Sequence, residues 1–292
     1  MTSDSSSPSG PEYSVRVTPE DLQTALARAL ATAEAGLVAP GFAAHIDVSP
    51  PTRSELGDWS TPVALRAAAA PERRTELAAH LCTELRTLPE VADADIAGPG
   101  FVNVTLTPAA RALVAFDLAA AAPGAGGAEQ DGTRFRALLA APGPGTAHGS
   151  AEPHLLDGRN AHVDPAAVYV LQRGHAAACR EQRRAHRAGI STDAAAASTL
   201  EHPDETRMLI AVAAVPSSLE RSSRLGEVDP FLTALLELGE AVEEFLDRCA
   251  VTPTVDEDIT VIHSSRLLAL RAVIIVLAAG LRQLGASAPE RI

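Results

Sequence analysis

Between residues 122 and 160 the chain loses the composition needed to build a core. AAPGAGGAEQ, and then APGPGTAHGS, are Ala, Gly and Pro with almost no large apolar side chain. Such a segment cannot bury enough surface to offset the entropy lost on ordering it. One short apolar run, 135–140, interrupts it and is expected to dock as a strand. The connector therefore divides the 292 residues into two folding units, 12–121 and 161–292. A polar, Ser-rich tail, 1–11, precedes them; it lacks the apolar stretch of a signal peptide and reads as disordered.

The two units carry different periodicities. In 12–121, Thr18-Pro19-Glu20-Asp21 is a helix start, and Leu22, Leu26, Ala29 and Leu30 follow at helical spacing. Residues 43–48 read as a short strand closed by Pro50-Pro51. Residues 62–70 and 71–88 read as helices opened by proline. Two apolar runs, 91–97 and 101–106, flank Gly98-Pro99-Gly100 as a hairpin should. Pro108 opens one more helix. This is an α+β domain with a small antiparallel sheet. From 161 onward the pattern is helical: starts at Asp164-Pro165, at His202-Pro203, at Asp229-Pro230 and at Asp256–Asp258 predict an all-α helix bundle.

Few aromatic residues are available, so these cores must be packed from Ala, Leu and Val, which favours close helices. Cys82, Cys179 and Cys249 are too scattered for a disulfide framework or a zinc site. A reducing, cytoplasmic compartment is expected. The apolar run 267–281 is too short for a membrane span and contains Arg271, so a buried helix is expected there. All 24 basic residues are Arg, and the net charge of −13 is unhelpful to a nucleic-acid binder. The charge is unevenly spread, however. Five arginines against two acids lie in 164–191, ten acids against one arginine in 227–258, and four arginines against one acid in 259–292. A net-acidic chain of this kind can still present a basic stripe.

The most specific motif is the tail RLLALRAVIIVLAAGLRQLGASAPERI, Arg266 to Ile292. Upstream stand FLDRCAV, Phe245 to Val251, and VLQRGHAAAC, Val170 to Cys179. In the first unit GDWSTPVALRAA begins at Gly57 and AGPGFVNVTL at Ala97. Together these segments resemble the two ends of arginyl-tRNA synthetases. The first unit resembles their additional amino-terminal domain and the second their DALR-type anticodon-binding bundle.

The resemblance implies tRNA as partner. It places Phe101 and Asn103 at the D-loop, where an aromatic face stacks an unpaired base and an amide bonds its edge. It places Gln172, Arg173, Ala176, Arg180, Arg184, Arg291 and Ile292 at the anticodon arm, with arginine tRNA as the inherited ligand. Arg173 stands where the family has a stacking Tyr, and Ile292 where it ends in Met. The family's nucleotide-binding core is replaced by the connector; the chain has no lysine for ATP phosphates and no cofactor or metal motif. The resulting expectation is a tRNA-binding protein, its halves joined by a flexible tether, that does not aminoacylate alone. The alternatives are the non-catalytic part of a split ligase with a separate catalytic partner, and a protein-interaction scaffold.

Single residues carry open readings. The arginines at 173, 180, 184 and 187 share a helix face, which either follows an RNA backbone or answers the acidic helix 237–247. Arg266 is expected to anchor the bundle through a buried carboxylate, Arg291 to contact RNA, and His175 and Cys249 to lie in the core.

Overall fold

The computed structural model describes residues 17–43, 45–120, 138 and 163–292. The first unit begins with α1 (Pro19–Thr32), whose start is fixed reciprocally. Thr18 Oγ1 accepts the Asp21 N–H at 3.2 Å, and the Asp21 carboxylate accepts the Thr18 N–H at 2.8 Å. After β1 (Trp59–Thr61) come α2 (Val63–Ala67), α3 (Arg74–Leu85), β2 (Val91–Ala97) and β3 (Phe101–Leu106). The sheet order is β1-β3-β2, antiparallel throughout, so the hairpin read from the sequence supplies the central strand.

Period-2 alternation along β3 sends Val102, Val104 and Leu106 into the core with Trp59, Leu77 and Leu81. Phe101, Asn103 and Thr105 therefore share the opposite face. Of the expected strand 43–48, the described residues 43 and 45–48 are not in a strand; next to them Ser49 makes an isolated bridge to Ser60. Pro50 and Pro51 follow at once and have no N–H to extend that ladder.

The second unit packs α5 (Pro165–Arg187), α6 (Pro203–Leu225), α7 (Asp229–Arg248) and α8 (Val261–Gln283). The last start differs from the sequence expectation. Helix α8 begins at Val261 after Thr260, whose N–H is accepted by His263 Nδ1 at 3.1 Å, so 256–258 lie in the turn and loop before it. Close packing of α7 on α8 depends on Gly280, because a Cβ there would lie 2.4 Å from Leu235 Cδ2. Most of α8 is buried, including Leu267, Leu270, Val273, Val276 and Leu277, which accounts for its membrane-like hydropathy. Arg266 anchors as expected: it donates to the buried Glu205 carboxylate at 2.6 Å and to Ala250 O at 2.9 Å.

The two units touch directly. Helix α4 (Pro108–Ala120) follows β3 yet packs against α6, α8 and the turn at 197–199. At its first turn Arg111 donates to the buried Asp58 carboxylate through Nε at 3.1 Å and Nη2 at 2.9 Å. It also reaches Leu106 O at 3.1 Å and, across the interface, Thr206 Oγ1 at 3.4 Å. Arg224 of α6 pairs with Asp47 at 3.7 Å. Of the apolar run 135–140 only Leu138 lies within the described residues. It is helical and fully buried, and its carbonyl accepts from Gln283 Nε2 at 3.2 Å.

Candidate nucleic-acid interface

Helix α5 is set against α7 by two glycines; a Cβ on Gly174 would come 3.9 Å from Gly239 Cα. On the solvent side of this contact lies a groove of about 1000 Å³. Tyr169, Arg173, Ala176 and Arg180 form one wall at i, i+4, i+7 and i+11, a single helix face. Glu243, Leu246, Asp247 and Arg248 of α7 form the second wall, and Glu290, Arg291 and Ile292 close the end. Five residues marked from the sequence thus meet at one place: Arg173, Ala176, Arg180, Arg291 and Ile292.

The open question of the arginine stripe divides residue by residue. Arg173 donates to Glu243 on α7 at 3.0 Å, so at that position the acidic helix is answered internally. Arg183 pairs with Glu290 at 3.3 Å and Arg184 with Glu181 of its own helix at 3.6 Å. Arg180 and Arg291 are exposed and have no carboxylate partner among the described residues. Two unneutralised cations therefore flank a surface made by Tyr169, Ala176, Leu246 and Ile292. Gln172 lies outside the groove and donates to Ser287 O at 2.9 Å. His175 is buried, as expected, with Nδ1 3.0 Å from Pro289 O. Burial is the main reason its pKa lies below the usual imidazole range.

Tyr169 was missed in the sequence, which directed attention to the aromatic absent at 173. It is 52% exposed and stands one helical turn before Arg173. The i, i+4 rule applied to the second of two tyrosines in the chain was the available signal.

The second candidate surface is the outer face of the sheet. Phe101 is 38% exposed, whereas Asn103 is 6% exposed between its strand partners Ser60 and Asp95. No group among the described residues bonds the Asn103 side-chain amide, and neither amide atom is sealed from solvent. Asp93 and Asp95 on this face are both bridged by Arg86, at 3.0 and 3.2 Å. The Arg86 hydrogen bond is the leading cause holding the Asp93 carboxyl below its usual range.

Two other places have different chemistry. A larger cleft of about 1290 Å³ between the units is lined by acids including Asp47, Glu237, Glu240 and Glu244. Burial, then the neighbouring Glu240, pushes the Glu237 carboxyl up, an environment hostile to phosphodiesters. His202, Asp204 and Cys249 bring ligand-type atoms within 4.8 Å of one another. Here, however, His202 Nδ1 accepts the Asp204 N–H at 3.2 Å as a helix cap, and Arg248 donates to Asp204 at 2.9 Å. Burial foremost pushes the Cys249 thiol up to about 11, so it stays protonated at neutral pH. These contacts make the trio a cap for α6.

Comparison with known families bears on both surfaces. The model of the DALR anticodon binding domain matches residues 171–292, which hold most of the groove. The model of the arginyl tRNA synthetase N terminal domain matches residues 20–106, which hold the sheet face. The chain is related to arginyl-tRNA synthetases. Similar curated proteins are the arginine–tRNA ligase of Clavibacter sepedonicus, 34% identical over 42% of this chain and 22% of that protein, and that of Renibacterium salmoninarum, 36% identical over 42% and 23%. The arginine–tRNA ligase of Kineococcus radiotolerans is 35% identical over 42% of this chain and 23% of its own length. The chain thus aligns with less than a quarter of the length of these relatives. The two matched segments, 20–106 and 171–292, fall within the α+β and the all-α parts described above.

Proposed function

We propose that the chain binds tRNA through two surfaces and does not aminoacylate by itself. The groove carries the reading. Its two unneutralised arginines, Arg180 and Arg291, suit a phosphodiester, while exposed Tyr169 and the adjacent apolar surface suit an unstacked base. Phe101 and Asn103 serve in the same way at the D-loop: one offers a stacking edge, the other an unused amide. The contacts of Arg111 and Arg224 across the units favour a fixed spacing of the two surfaces over a free tether, which lowers the entropy cost of engaging both arms of one tRNA.

Only residues 107–170 lie between the two matched domains, and α4 occupies the first of them. An ATP-binding α/β core needs on the order of 100 residues or more. That interior supports the non-catalytic reading, and equally a split ligase completed by a second chain. The anticodon arm and the D-loop are sites of shape and base recognition; arginine tRNA is the inherited ligand, and the altered position 173 relaxes that choice.

Binding to total tRNA across a salt series, followed by sequencing of the retained species, tests the proposal. Salt-sensitive retention is expected, with affinity falling steeply as salt rises. Retention no better than that of an unrelated acidic protein would refute it. Arginine charging that appears only on adding a separate ATP-binding chain would select the split-ligase reading.

A further inference from the structure

The groove is closed by a segment that has no secondary structure of its own. Beyond Gly285, which takes φ +73° after α8, residues 286–292 run along α5 outside any helix or strand, with a bend at Glu290, and with Ser287, Glu290, Arg291 and Ile292 exposed. Ala286 and Ala288 pack partly buried against the core, but the exposed residues between and beyond them offer little surface to fix the path. A row of donors on α5 grips the segment's main chain. Gln172 Nε2 donates to Ser287 O at 2.9 Å and to Ser287 Oγ at 3.3 Å. His175 Nδ1 lies 3.0 Å from Pro289 O; a carbonyl can only accept, so Nδ1 carries the ring proton. Nε2 is then the acceptor, with the Cys179 thiol 3.7 Å away as its donor. Arg183 Nη2 donates to Glu290 O at 3.1 Å.

We infer that Gln172, His175 and Arg183 are positioning residues that hold segment 286–292 by its carbonyls and so set Arg291 and Ile292 at the mouth of the groove. The inference rests on the groove being the RNA-facing site proposed above. Its logic is geometric. Residues 172, 175 and 183 lie at i, i+3 and i+11, one stripe of α5, while Tyr169, Arg173, Ala176 and Arg180 form the adjoining stripe. One helix thereby presents the ligand surface and holds the segment that completes it. Three of the acceptors are backbone carbonyls, so the clamp holds chiefly by main chain, with the Ser287 hydroxyl as a further acceptor for Gln172. It fixes the path of the chain and leaves Arg291 and Ile292 free to face a ligand.

The clamp and the binding role separate experimentally. A small dye on I292C reports segment mobility by fluorescence anisotropy; the native cysteines are buried in the folded chain, which shields them from the label. Gln172→Leu and His175→Leu should each mobilise the dye. In the unlabelled chain each should weaken tRNA binding by roughly 2- to 10-fold, the equilibrium value of one lost hydrogen bond. His175→Asn, whose amide N–H can stand where Nδ1–H stood, should restore both readings. Far-UV circular dichroism confirms that each variant is folded, and the half-buried Gln172 serves if the His175 variant is not. Unchanged dye mobility in Gln172→Leu would overturn the clamp whatever happens to tRNA. A mobile dye with unchanged tRNA affinity, while Arg180→Ala still lowers it, would overturn positioning and leave the RNA reading standing. Loss of the effect of Arg180→Ala as well would refute the RNA reading of the groove, and with it the positioning role.

Discussion

Replacing Arg111 by Met should uncouple the two halves of this protein. The Arg111 side chain is 10% exposed and Asp58 4%, so the pair is shielded from solvent. Asp58 accepts the Leu106 N–H at 2.7 Å at the end of β3 and the Arg111 guanidinium at 2.9 and 3.1 Å, and Arg111 reaches on to Thr206 of α6. Arg111→Met preserves the aliphatic stem but strands a buried carboxylate with one N–H partner. Breaking a buried pair from one side costs about 3–5 kcal/mol, roughly two to almost four orders of magnitude in the folding equilibrium. Adding Asp58→Asn removes the stranded charge and keeps an acceptor for Leu106, so the double variant should recover about 1–3 kcal/mol. Urea unfolding followed by Trp59 fluorescence and by far-UV circular dichroism measures both halves, because the chain's single Trp lies in β1 and most helix lies in the bundle. The two probes should coincide in the wild type and separate in Arg111→Met. A loss below about 1 kcal/mol, the value of an exposed pair, would show that the Arg111–Asp58 pair is not buried in effect, and probes that already diverge in the wild type would show that the halves are not coupled.

Gly280→Ala should destabilise by about 1–3 kcal/mol in thermal or urea unfolding, since its methyl would strike Leu235; a neutral result would mean α7 and α8 have slack there. Burial holds His175 and His263 below the usual imidazole pKa, so they stay neutral in the fold while the unfolded chain takes up protons from about pH 6.5 downward. Their contribution is full above the unfolded pKa and is lost as pH falls towards the folded values. Stability should therefore drop below about pH 6.5, and His175→Asn should flatten that slope. Arg180→Glu should weaken tRNA binding and reduce the salt slope by about one, whereas Arg173→Gln, which removes a cation already paired with Glu243, should change the slope less.

Local chemistry was legible in the sequence where it acts over a few residues. Gly98-Pro99-Gly100 between two apolar runs located the hairpin, and the Pro-marked starts at 165, 203 and 230 located three helices to within a residue. The α8 start was misplaced because 256–258 look like an acidic first turn, while Thr260 and His263 make the actual cap. Residues 43–48 have strand-like composition, but among the described residues there the only bridge nearby is that of Ser49 to Ser60. Individual long-range partners were only partly legible: the acidic helix 237–247 was one of the two readings of the arginine stripe, but that Arg173 takes Glu243, and that Arg111 meets Asp58, follows from where the helices and sheet carry them. At the groove, Arg180 and Arg173 look alike in sequence; what separates them is which one an acid on α7 can reach. The clamp escaped notice for a related reason, since its acceptors are backbone carbonyls that every residue possesses.

On the proposed function, one chain grips a tRNA at its D-loop and at its anticodon arm together. Nucleotide-resolution chemical probing of a bound tRNA tests this directly, with wild type compared against Asn103→Ala and Arg180→Glu. Protection is expected in the D-loop and the anticodon loop of the same RNA, with Asn103→Ala losing chiefly the first and Arg180→Glu chiefly the second. Protection of neither loop, or of one loop unaffected by either substitution, would rule out simultaneous binding of both arms.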